Sequence, residues 1–237
     1  MIKTGLNNTA VQSLFLLNSL LNRYFHMKKS ILIALLFSVW QNKACTQTSY
    51  FEGVITSRIK FEIKDSTKRA VYFSKINPSH TIEHFYTGNS FVVNDKGDTE
   101  NYLYLQSENK AYDKVWGKDT FYMMDCSKKG KQMLSYTIEK NADTILDIPC
   151  NKLQVRFEDR TSTYFYNEAY LKINPKWYES LTYVNWDTIS KIIRSIPLQI
   201  IIERSDYRRV LTVESFTEKK VDKNLFKIPI TAIIKEY

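Results

Sequence analysis

Three histidines, three cysteines and a few adjacent carboxylates are the side chains here that could do chemistry. His80 and His84 stand four residues apart with Glu83 between them. The order is not that of His-Glu-x-x-His, because the acid adjoins the second histidine. The segment also alternates like a strand, where residues i and i+4 share a face but lie about 13 Å apart, too far for one ion. No metal ligands are assigned. No serine lies in a Gly-x-Ser-x-Gly elbow, and no glycine-rich phosphate loop is present. Cys126 or Cys150 as a nucleophile would need a histidine beside it. Glu158 and Asp159 fall in a turn, where carboxylates are solvated by default and not paired for glycoside chemistry. The many Tyr and Trp side chains could form a carbohydrate platform, but strand-face aromatics usually belong to a core. The expectation is a non-enzymatic protein with no catalytic residues and no cofactor.

The cysteines bear more on compartment than on catalysis. Met27-Lys28-Lys29 and the apolar run Ser30–Trp40 form the basic and hydrophobic regions of a secretory signal, too short for a stable membrane span. Residues 1–26 then read as a non-native upstream extension, 27–46 as the signal peptide and 47–237 as a single exported β-rich domain. The alternative keeps Leu14–Leu21 as part of a longer leader or an N-terminal helix. Ala44-Cys45 resembles a lipoprotein cleavage site and makes Cys45 a lipidation candidate, although Asn42 and Lys43 depart from the usual pattern. The competing cleavage leaves Gln47 as the new terminus. Either way Cys126 and Cys150 remain, a disulfide candidate in an oxidising compartment, with buried inert thiols as the other reading.

Composition agrees with an exported β protein. Aromatics make up 14% of the 237 residues, with 16 Tyr and 13 Phe against 6 Gly and 5 Pro, a balance that favours strands. The formal charge of +9 owes five units to the first 44 residues, leaving 29 basic against 25 acidic residues. Bases and acids interleave there, which argues against nucleic acid as a partner.

Tyr50–Lys64 has the clearest pattern. Phe51, Ile55, Ile59, Phe61 and Ile63 share one parity and charged residues the other, as in a long strand with one wet face. Strands follow at 70–75, 81–86, 89–94, 99–105, 111–115, 120–126, 132–140, 150–158 and 161–167. Asp95–Asp98 closes a hairpin. This spacing predicts one large antiparallel meander. Asn174-Pro175 opens a helix carrying Trp177, Leu181 and Val184. Asp187 caps a second helix, with Ile189, Ile192, Ile193 and Ile196 as its apolar stripe. These helices, at about 175–195, are expected to cover one face of the sheet. Strands resume at 198–204 and 209–218, and Leu225–Pro229 docks as a short terminal segment.

Several short motifs carry a resemblance. They are Phe51-Glu52-Gly53-x-Ile55, Thr144-Ile145-Leu146-x-Ile148-x-Cys150-Asn151-Lys152-Leu153, Thr163–Tyr166, Ile173-Asn174-Pro175, Ile196-Pro197-Leu198 and Phe226-x-Ile228-Pro229. Together they resemble a family of Bacteroidetes exported, lipoprotein-like proteins related to the Gly-Leu-Pro-Gly-Leu-Ile type. The resemblance implies a lipoprotein-carrier-like (LolA/LppX-like) fold: a curved antiparallel half-barrel with helices over its concave side, able to hold acyl chains. Asp147 stands where such proteins commonly carry Gly, and the Gly-Leu-Pro-Gly-Leu-Ile signature itself is replaced by Arg194–Leu198. No catalytic residue carries over.

The fold expected is therefore mainly β. The function expected is that of a cell-envelope protein, periplasmic or outer-membrane-associated, binding a lipid or other apolar ligand on a curved sheet. Phe51, Ile55, Ile59, Trp177, Leu181, Ile189, Ile192, Ile193 and Ile196 are the ligand-lining candidates. The alternative is an envelope interaction module with a protein partner and no small ligand. No transmembrane span is expected in the mature chain.

Overall fold

Alternation in the first strand organises the whole molecule. In β1 (Gly53–Ile63) the odd-numbered residues Ile55, Ser57 and Ile59 are buried while Arg58 and Lys60 are exposed. The structure is a computed structural model that describes residues 49–65, 67, 79–95 and 99–237. The leader, Cys45, the strand expected at 70–75 and positions 96–98 of the hairpin turn lie outside the described residues.

Beyond β1 the strands are β2 (His80–Tyr86), β3 (Asn89–Asn94), β4 (Thr99–Leu105), β5 (Lys110–Val115), β6 (Thr120–Asp125), β7 (Met133–Ile145), β8 (Ile148–Phe157), β9 (Thr161–Tyr166), β10 (Gln199–Glu203), β11 (Tyr207–Glu218) and β12 (Ile233–Glu236). They form one open, curved sheet in the order β12-β6-β5-β4-β3-β2-β1-β11-β10-β9-β8-β7. All pairings are antiparallel except one: β12 runs parallel to β6. The sheet is thus mixed rather than an uninterrupted antiparallel meander. The last four-residue strand has no alternation to announce it, because all of its residues are exposed.

Residues 171–196 cover one face of the sheet. They contain less helix than the spacing of Trp177, Leu181 and Val184 predicts. Asn174 caps a single 3-10 turn, Pro175–Tyr178, by accepting from the Lys176 N–H. The chain then turns again, held by Thr182 and Tyr183 N–H groups that both donate to the Cys126 carbonyl. One α-helix follows, α1 (Trp186–Ile193). Its cap is Asn185, in a left-handed conformation with no side-chain bond, and not Asp187, which lies in its first turn. Ile189 and Ile193 point into a cluster with Leu153, Val155, Phe157, Tyr164 and Tyr166. The opposite face is covered at β4–β6 by the C-terminal segment, where Phe226 and Val221 pack on Leu103, Leu105, Tyr112 and Phe121.

The two-residue turn between β7 and β8 is made by Leu146 and Asp147, both with positive φ (52° and 60°), closed by the Ile145–Ile148 pair. That is the type I′ geometry in which Gly is favoured, yet this chain carries Leu146 and Asp147 there. Strand β7 runs on to Ile145, past the expected end at 140, through a bulge: the register shifts between Glu139 and Asp143, and Asn141 has φ 50°. Strand β9 is covered on both sides, with Tyr164 and Tyr166 in the helix cluster and Phe165 in another with Cys150, Leu171 and Leu198.

Candidate functional site

Cross-strand register places three strands, β9, β10 and β11, under one cleft. Residues on the helix-covered face align in rows. One row runs Leu153, Tyr164, Ile200, Leu211, Ile59, and the next runs Val155, Ser162, Ile202, Arg209, Phe61. Helix α1 packs on the first row. The middle of the second, Ser162, Ile202 and Arg209, is the floor of a cleft of about 890 Å³, within the size range of small-molecule sites.

The roof is the β6–β7 connection, Lys129–Gln132, together with Tyr183 and Val184. It is fastened by three bonds across about 50 residues of chain. The Gly130 N–H donates to the Thr182 carbonyl at 3.0 Å, the Asn185 amide to the Lys131 carbonyl at 3.0 Å and the Thr182 hydroxyl to the Ser127 carbonyl at 2.7 Å. The end wall is formed by the β8–β9 and β10–β11 turns, with Glu158, Asp159, Arg160, Arg204 and Tyr207.

Charge in this cleft is predominantly basic. Asp159 accepts from Arg160 at 3.0 Å and lies 3.3 Å from Arg204, whose Nε is 3.9 Å from Asp206. Arg209 differs. Its guanidinium lies 5.9 Å from the centre of the Phe61 ring, its Nε is sealed from solvent with no hydrogen-bond partner, and no ion pair holds it among the described residues. Burial pushes its pKa below the usual guanidinium range, opposed by the neighbouring Tyr207. The adjacent Arg208, on the other face, bonds Glu203 at 2.6 Å and Glu62 at 3.0 Å. Tyr164, buried beside Ser162, has its hydroxyl pKa raised by burial.

A second polar feature lies in a different part of the same face. Glu83 stands opposite Ile55. Burial raises its pKa to about 7 against a hydrogen bond with Ser90. Asp113, whose pKa burial also raises, accepts from the Tyr237 hydroxyl at 2.6 Å. The cross-strand row Glu83, Val92, Tyr102, Asp113 separates the two carboxylates by three strand spacings, about 14 Å of backbone. That exceeds the spacing of a glycosidase pair.

The ligand-lining candidates fall into several filled clusters. Phe51 and Ile55 pack with Phe85, Cys150 and Val213. Leu181 packs with Tyr104, Cys126 and Tyr178, and half-buried Trp177 and Ile196 flank it. Ile189 and Ile193 are fully buried under α1, with Ile192 at the margin. Ile59 is buried in the row beside the cleft. None of the nine lines the large cleft or the smaller one, about 280 Å³, beneath the C-terminal segment. Cys126 and Cys150 stand as free, buried thiols in separate clusters. Burial pushes the Cys126 thiol up to about 11 and raises that of Cys150. A buried neutral thiol is a poor nucleophile. His80 lies 3.5 Å from Asp95 and 3.7 Å from Glu214, whereas His84 faces the Phe91 ring. No group of three or more metal-ligating side chains occurs among the described residues. No helix among them is long and apolar enough to cross a membrane.

The sequence reading passed over Arg209, yet a signal was present. The expected strand began at 209, whereas β11 begins at Tyr207 and so contains both Arg208 and Arg209, and consecutive strand residues face opposite ways. One of the two therefore had to face inward.

No protein-family model matches this chain, and no curated protein does. Among solved structures it is similar to PNGF-II, at 13% identity and a TM-score of 0.43. The match covers 79% of this chain and 32% of PNGF-II, so the chain spans about a third of that protein's length.

Proposed function

We propose that this chain is an exported, non-enzymatic cell-envelope protein whose curved sheet, a half-barrel in the sense of the lipoprotein carriers, holds an apolar or amphiphilic ligand. It works in the periplasm or at the outer membrane, free or anchored through Cys45. The observation that carries this reading is the cleft at the end of the helix-covered face. It is large enough for a small ligand, is floored by the sheet and has a roof fastened by hydrogen bonds. The core candidates named from sequence pack in the clusters beside it and do not line it. The high thiol pKa values and the separation of Glu83 from Asp113 support a binding role over catalysis.

One observation favours the reading of an interaction module without a small ligand. Strand β7 is an edge of the sheet, and Leu134, Tyr136 and Ile138 on one side of it are about half exposed. Such an edge can accept a further strand.

Mass spectrometry of the protein purified from membranes tests the choice. The expected result is a co-purifying small amphiphile, with a lower Tm after its extraction. A protein that carries nothing, is indifferent to extraction and crosslinks to envelope proteins through β7 would overturn the ligand reading.

A further inference from the structure

We infer that the cleft recognises an oxyanion, carboxylate or phosphate, borne on an apolar body, and that Arg209 is the residue that receives it. This rests on the ligand-holding reading and adds the chemical class of the ligand. Three observations carry it.

The first is position. Arg209 is the charged member of a row otherwise made of Val155, Ser162, Ile202 and Phe61. A guanidinium in such a place is costly unless an anion meets it. The second is that no anion among the described residues pairs with it. Asp159 is engaged by Arg160 and Arg204, while Glu158 is exposed at the rim. Arg208, one residue away, has two carboxylates, one from each neighbouring strand, whereas on the cleft face those strands put Phe61 and Ile202 beside Arg209. The third is the composition of the walls. Five basic residues against two acidic ones line the cleft, and Tyr164, Tyr183, Val184, Ile202 and Tyr207 give it apolar and aromatic surface. Basic and apolar surface in one cleft suits an amphiphile better than a free ion. An arginine fork bonds either a carboxylate or a phosphate through paired N–H groups.

The test uses the purified, delipidated full-length protein and three probes below their critical micelle concentrations where they have one: a monoacyl fatty acid, a monoacyl phosphate, and the uncharged monoacylglycerol of the same chain length. Inorganic phosphate is a fourth probe. Binding is read by calorimetry and by emission of Trp186, which lies 6.2 Å from Tyr164. The two anionic amphiphiles are expected to bind about tenfold or more tighter than the neutral one, the ratio a charge-assisted hydrogen bond supports. Arg209→Leu is expected to erase that ratio and Arg208→Leu to leave it. The wild-type ratio and its loss at high salt stand as a test even if Arg209→Leu fails to fold.

Equal binding of the neutral probe would overturn the inference and leave the ligand-holding reading intact. Binding of none of the amphiphiles would overturn both. Inorganic phosphate binding as tightly as the monoacyl phosphate would overturn the assignment of an amphiphile. A preference that survives in Arg209→Leu would remove Arg209 as the receptor.

Discussion

Gly130 and Tyr183 touch where the two halves of the cleft roof meet: a Cβ on Gly130 would collide with the Tyr183 carbonyl oxygen. The colliding atom is backbone, fixed by the bonds that Thr182 and Asn185 make to the same loop, so it cannot turn aside. Gly130→Ala is expected to part these strands of chain, lower stability by about 1–3 kcal/mol and weaken ligand retention. Urea unfolding and the calorimetric titration check both effects. An unchanged midpoint together with unchanged binding would show that the roof is not fixed by this contact.

The turn at Leu146–Asp147 is open to improvement. Both residues sit in the left-handed region, where a side chain costs about 1–2 kcal/mol. Leu146 is 41% exposed, so replacing it forfeits little burial. The double change Leu146→Asn, Asp147→Gly is expected to raise stability by about 1–2 kcal/mol and raise Tm. A fall in Tm would mean that this turn does not have the I′ geometry.

Glu83 makes stability depend on pH in an unusual direction. Its folded pKa, about 7, lies above the ordinary 4.5. Between those values the folded state holds a proton that the unfolded state has lost. Stability therefore falls as pH rises from about 4.5 to about 7 and stays lower above. The groups facing it are Ser90, Ile55 and the hydroxyls of Tyr102 and Tyr178, with no cation among them. Glu83→Gln is expected to be more stable than the parent by about 1–2 kcal/mol at pH 8 and nearly equal to it at pH 4.5. A variant less stable than the parent at pH 8 would contradict the account.

Cys126 and Cys150 are expected to resist a thiol reagent in the native protein and to react together on unfolding, because both are buried and neutral. Peptide mapping after native and denatured labelling reads this directly. Rapid labelling of either one in the native state would place it at the surface.

Much of the sheet was legible because burial on one face imposes period two. In β1, the hydrophobic parity seen in the chain is the buried parity in the fold. The hairpin β3–β4 has the expected bounds, read from the turn residues Asp95–Asp98 between its strands. What escaped lacks such a constraint. Strand β12 and much of β7 are exposed on both faces, so no alternation is selected there. The expected helix at 175–184 failed because Trp177 and Leu181 are buried by turns tied to the Cys126 carbonyl rather than by a helical stripe. The ligand-lining candidates are apolar side chains, and none of them lines the cleft. Those close the core. The cleft is distinguished by Arg209, an inward charge whose meaning depends on which face of β11 is covered.

The central claim is that the cleft beside Arg209 holds an anionic amphiphile. Calorimetric titration of the delipidated protein with a fatty acid and with its uncharged monoacylglycerol counterpart tests it most directly. Saturable one-to-one binding is expected, about tenfold tighter for the acid, with that preference lost in Arg209→Leu. Equal affinities, or no binding of either, would contradict it.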